Sequence, residues 1–187
     1  EGITQETFLN WCEDFLLVRN RNSIIHKLNN PLYQKNRELI SNFSSLAVVK
    51  YCENYVNISS AKSLVVLKSN SRRLGDVQNL NNVVSLQRLN DVRFINKYLE
   101  KVNGKLENGG IMVGCFETFT ARREKMPVNK VPFLGSVYFA AEFMIKRILP
   151  KVSFTKKYYF DITKGNDRLL SKAEGLGRLV SCGFSIM

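Results

Sequence analysis

Asn90, Asp91 and Arg93 fall within four consecutive positions just beyond the apolar run "NVVSLQ" at 82–87. A guanidinium there could grip a phosphate or carboxylate through its planar donors. A strand-to-helix junction is also the edge at which open α/β sheets bind ligands. The same residues have a plainer use, because Asn90 or Asp91 could cap the next helix by accepting backbone N–H bonds. Glu117 and Thr118 follow a second apolar run, Ile111 to Cys115, and would stand at the carboxyl end of a buried strand. Glu117 is placed for binding or catalysis, yet no second carboxylate lies at a spacing that suits general acid–base work. A loop residue is its alternative reading.

Other reactive side chains are sparse. Cys12, Cys52, Cys115 and Cys182 are scattered without a C-x-x-C pair, which reads as reduced core cysteine in a cytoplasmic protein. His26 is the only histidine and has no partner at ligand spacing, so neither a metal site nor a Cys-His nucleophile pair is expected. Positive charge is the more pronounced signal: 28 Lys and Arg against 16 Asp and Glu give a net charge of +12. Arg122, Arg123, Lys146, Arg147, Lys156 and Lys157 concentrate it around an aromatic stretch at 133–160, as an expected basic surface. Such a surface suits an anionic membrane. It suits single-stranded nucleic acid less well, since the chain has no established nucleic-acid motif. A solvated face over a buried helix would look the same.

The elements that must position these residues are read from periodicity. Apolar residues from Thr4 to Asn20 recur at helical spacing, a second helix opens at Asn30-Pro31 and runs towards Asn42, and a third fits Ser45 to Tyr55. Leu64 to Leu67 and residues 82–87 read as short buried strands, the first followed by a polar loop with Arg72 and Arg73. Val92, Ile95, Leu99, Val102 and Leu106 form a helical stripe that Gly109-Gly110 should stop before a strand at 111–115. "TARREKMPVNKVP" reads as a basic loop or short helix, and residues 133–151 as a bulky helix. "FTKKYYFDITKGNDR" is a basic aromatic segment ending in a turn. Ser171 opens a last helix that Gly183 ends, with "FSIM" beginning a further strand.

Strands alternating with helices predict an α/β fold with a mostly parallel sheet, in three layers. The expected organisation is a helical amino-terminal extension over 1–60 and an α/β domain over 61–187. No apolar run of about 18 residues is present. The chain opens in a helical pattern and stops in a strand pattern, which gives the expectation of a piece cut from a longer protein.

The order helix, "LENGG", strand, insertion, helix and "GF" resembles the second half of a Rossmann-like methyltransferase that uses S-adenosylmethionine, over residues 82–187. The cofactor half departs from that family. Its first strand needs a glycine-rich turn for close backbone approach, whereas "VVLKSNSRRLGD" has one glycine, well past the turn, and no acid closes the second strand to hold ribose. No cofactor is therefore expected.

A further resemblance rests on "LNDVRFINKYLEKVNGKLENGGIMVGCFET", "FMIKRILPK" and "ITKGNDRLLSKAEGLGRLVSCGF". These are similar to the amino-terminal soluble region of bacterial sugar transferases, over residues 85–187. In that family the domain precedes a membrane-associated polyprenyl-phosphate glycosylphosphotransferase domain used in exopolysaccharide or O-antigen assembly. The resemblance implies a non-catalytic accessory or regulatory domain at the cytoplasmic membrane face, with the transferase domain as its partner. A methyltransferase with a divergent cofactor loop is the competing expectation.

Overall fold

The computed structural model describes residues 29–67, 74–131 and 133–187. The expected helix Thr4 to Asn20, His26 and the Arg72-Arg73 loop lie outside these residues. Helix α1 (Pro31–Phe43) opens as its sequence directs: Pro31 sits in the first turn, and the Asn30 side chain accepts the N–H groups of Leu32 and Tyr33. Helix α2 (Leu46–Tyr55) comes after one break at Ser44-Ser45.

Strands β1 (Ser63–Val66), β2 (Leu80–Arg88) and β3 (Leu106–Cys115) form one sheet in the order β1-β2-β3, with both pairings parallel. Helix α3 (Ile95–Asn103) makes the crossover from β2 to β3. The fold is α/β around a parallel sheet, as the alternation of strand and helix patterns predicts.

The two faces of the sheet are read from alternate side chains. Val65, Val84, Ile111 and Val113 pack against Tyr33, Ile40, Val49 and Cys52 of α1 and α2. Val66, Val83 and Met112 turn to the other face, towards Val102 of α3. There Leu89, Ile95 and Leu99 meet Leu170 and Cys182. Cys182 adjoins the end of helix α7 (Lys172–Ser181), which the Ser171 side chain caps at its start. Burial pushes the Cys52 thiol up to about 11, in keeping with an inert core cysteine. Cys182 is likewise buried and free, whereas Cys115 is exposed.

Four expectations are corrected. The α3 helix is shorter than its stripe: it starts at Ile95, and Leu89–Asp91 form a separate 3-10 turn. Neither Asn90 nor Asp91 caps it, since Phe94 holds the cap position without a side-chain bond. Gly109-Gly110 does not stop this helix, which ends at Gly104. The glycine pair lies inside β3, where Leu106 pairs with Leu80 and Ile111 already pairs with Asn82. The extra residues bulge out between those two contacts, with Gly109 at φ +78°. Residues 184–187 form no strand; Gly183, at φ +86°, ends α7 as expected.

Between β3 and α7 the chain makes a long excursion. Helix α4 (Phe119–Lys125), a 3-10 turn (Pro127–Lys130), helix α5 (Leu134–Phe143), a π-helical turn (Met144–Ile148) and helix α6 (Ser153–Thr163) succeed one another. The excursion leaves and returns at one place. Thr118 and Leu170 form a parallel bridge, and the Phe119 N–H donates to the Leu170 carbonyl at 2.9 Å. None of the buried residues that build the three core clusters comes from α4, α5 or α6.

Candidate functional site

The carboxyl ends of β2 and β3 meet the base of this excursion, and charged side chains from four segments converge there. Asn90 is 2% exposed and ties three of these segments together. Its amide donates to the Glu117 carbonyl (2.9 Å) and the Arg168 carbonyl (2.7 Å), and its Oδ1 accepts the Glu117 N–H (2.7 Å). The Asn90 backbone carbonyl accepts from Arg168 N–H at 3.0 Å. Every donor and acceptor of the side chain is therefore engaged by backbone. Asp91 has a similar duty, accepting the Asp167 N–H at 2.9 Å and pairing with Arg88 at 3.0 Å.

Arg122 is the centre of the ionic part. Its Nε donates to Glu142 Oε1 at 2.9 Å, and its two terminal nitrogens bind Asp167 bidentately at 2.6 and 2.9 Å. Glu117 Oε2 stands 3.3 Å from the same guanidinium. Lys146 completes the ring by donating to Glu142 Oε1 at 2.9 Å and to Asp167 Oδ2. Glu117 is further flanked by Arg88 at 3.5 Å and Lys125 at 3.6 Å. Four acids, Asp91, Glu117, Glu142 and Asp167, thus face four bases, Arg88, Arg122, Lys125 and Lys146.

Ionisation obeys this geometry. The Asp167 hydrogen bond, backed by charge and opposed by burial, raises the Arg122 guanidinium further above its ordinary value. Burial works against a charged Asp167, but hydrogen bonds from Arg122 and Lys146 overcome it and hold the carboxyl below its usual range. Burial also opposes the Lys146 charge, and its bonds to Asp167 and Glu142 prevail, so its ammonium is raised. Glu142 is 5% exposed, and its Oε2 is buried without a hydrogen-bond partner among the described residues. Arg122, Lys146 and Asp167, whose proton affinities are shifted, are each held by partners of opposite charge.

Consecutive residues point about 100° apart on a helix, so Lys146 and Arg147, within the π turn, reach different acids. The Leu149 N–H bonds to the Met144 carbonyl, five residues back, in place of the α-helical spacing of four. One residue more per turn rotates the chain beyond it by about 100°. Lys146 reaches the cluster, whereas Arg147 lies 3.2 Å from Glu174 Oε2 on α7, an ion pair without hydrogen-bond alignment. Arg178 holds the other oxygen of Glu174 at 3.0 Å.

The residues expected to form a site therefore part company. Asn90, Asp91 and Glu117 come together, joined to Arg122 and Lys146 of the expected basic surface. Arg93 is separate and exposed; its guanidinium lies over the Phe94 and Phe160 rings, at 5.2 Å from each. Arg147 pairs with α7, and Arg123 lies over the Phe139 ring at 5.4 Å. Lys156 and Lys157 are exposed, with no ion pair among the described residues. Sequence reasoning misses Glu142 and Asp167. The available signals are that Glu142 is the one acid in the apolar run of α5, and stands four residues before Lys146. Asp167 closes the Gly-Asn-Asp turn, at φ +53°.

Beside the cluster, Phe119, Arg123, Phe139, Phe143, Met144 and Ile148 line an open, mainly apolar groove of about 400 Å³. Among the described residues no group of His, Cys, Asp and Glu could hold a metal ion, and no helix is long and apolar enough to cross a membrane. No protein-family model matches the chain, and no curated protein or solved structure matches it.

Proposed function

We propose that this chain is a non-catalytic accessory domain of a bacterial sugar transferase, with a Rossmann-like fold, acting at the inner face of the plasma membrane in exopolysaccharide or O-antigen assembly. The observation that carries the non-catalytic part is the closed cluster around Arg122. The sheet edge where a ligand would bind is occupied by the protein's own acids and bases, paired one against another. The sugar-transferase part rests on the resemblance of residues 85–187. On this reading the cluster anchors the excursion to the sheet, and the partner is a membrane-associated transferase domain.

A methyltransferase with a divergent cofactor loop is the second reading, favoured by three parallel strands with helices against both faces. Calorimetric titration with S-adenosylmethionine and S-adenosylhomocysteine, with a UDP-sugar as comparison, separates the two. The accessory reading expects no heat of binding from either methyl-cycle compound and no sugar-phosphate transfer by the chain alone. Saturable micromolar binding of either compound would replace it with the methyltransferase.

A further inference from the structure

Helix α6 carries apolar side chains that no element among the described residues covers. Phe154, Tyr158 and Ile162 are 81%, 64% and 82% exposed. Their spacing of four residues puts them on one helical face, a stripe about 12 Å long. Single exposed apolar residues are ordinary, but three in register make a surface with a use. The opposite side of the helix does face the protein, through buried Tyr159 and Phe160. The exposed stripe is therefore an outer face of a seated helix.

Its charged neighbours indicate what covers it. Lys157 and Lys164 stand seven residues apart along one flank and Lys151 lies just before the amino-terminal end, whereas Lys156, one turn before buried Phe160, lies behind the stripe. All four are exposed and none makes an ion pair among the described residues. Asp161 is the single acid on this face. A second copy of the chain is a poor occupant, because each copy carries +12 and the lysines would be brought together. Eleven residues are too few to cross a bilayer, so a helix of this kind lies in the interface plane.

We infer that α6 docks this protein on an anionic phospholipid surface, with Phe154 and Ile162 entering the acyl boundary, Tyr158 at headgroup level and Lys151, Lys157 and Lys164 on lipid phosphates. The inference rests on the accessory reading and names the surface through which it acts.

Vesicle co-sedimentation of the chain tests it, using phosphatidylcholine alone or with about one third phosphatidylglycerol. Binding is expected only to the anionic vesicles, and should weaken as salt rises. Phe154→Ser with Ile162→Ser should lower it at least about tenfold, given the apolar area each side chain would bury. Each of Lys151→Gln and Lys157→Gln should lower it by up to about fivefold, and Lys156→Gln, behind the stripe, by less. Circular dichroism and thermal unfolding should match the parent chain, since the altered side chains are exposed. Equal binding to both vesicle types, absence of binding, or unchanged binding by the α6 variants would overturn the inference. So would self-association in sedimentation that the same variants abolish, which would make a second copy the occupant. The accessory reading fails by a different signal, methyl-cofactor binding, to which the vesicle assay is blind.

Discussion

The Arg122 cluster and the outer face of α6 draw on the same stretch of basic sequence and put it to opposite uses. Arg122, Lys146 and Arg147 each reach an acid on another element, whereas Lys151, Lys156 and Lys157 reach none among the described residues. Apart from Glu142, four residues before Lys146, little in the local sequence separates the two sets. The difference lies in Glu142, Asp167 and Glu174, which the fold brings to one set and withholds from the other. A run of positive charge therefore has no meaning of its own until the acids that answer it are located.

The sharpest way to break this contrast is Arg122→Ala. It would leave Glu142 nearly buried with only Lys146 as partner, and Asp167 without its bidentate partner. Removing one member of a buried ionic group costs about 3–5 kcal/mol. Urea unfolding should show a loss of that size, against less than about 0.5 kcal/mol for Lys157→Ala at its exposed position. Equal effects from the two would remove the distinction between the regions.

Asn90→Ala should come next. It deletes three hydrogen bonds to buried backbone, and an expected loss of about 3 kcal/mol reflects groups left unsatisfied. Asn90→Asp would separate size from donors, since it keeps the acceptor for Glu117 N–H and loses both amide donations. A clamp role requires it to be destabilised as well.

Acidity offers a milder probe. The Asp167 carboxyl is held below its usual range in the folded protein, so its contribution is present above the unfolded value of about 3.9. As pH falls through the lowered folded value, that contribution is lost. Thermal unfolding across the acid range should show stability falling with pH, and Asp167→Asn should flatten this limb. The smallest effect expected is on the α6 face itself, where Phe154→Ser should change stability by less than about 0.5 kcal/mol.

Much of the framework was legible from the sequence. Asn30-Pro31 opens α1, Ser171 caps α7, and the alternation of apolar runs with a helical stripe specifies a parallel α/β sheet. These signals are local, so they can be read without the fold. Gly109-Gly110 misled because a left-handed glycine serves a helix end and a strand bulge alike. The site was legible only in its near half. Asn90, Asp91 and Glu117 come just after strands and advertise themselves. Asp167 lies 45 residues beyond the guanidinium it binds, and no spacing rule links the two. Asn90 looked like a helix cap, because the partners that claim its side chain lie 27 and 78 residues away.

The excursion from Thr118 to Leu170 also bears on the order in which the chain folds. Its ends are joined by a bridge, by the Asn90 clamp and by Arg122 with Asp167, while its helices lend no buried residue to the three clusters around the sheet. Contacts that close such long loops are reached late, after local pairing has supplied something to close upon. The sheet with its flanking helices can then form first and the excursion settle on it afterwards, tied at the base by the bridge, the asparagine and the ion pair. Should α4, α5 and α6 open together while β2 stays shut, amide exchange would show the excursion losing protection before the strands do.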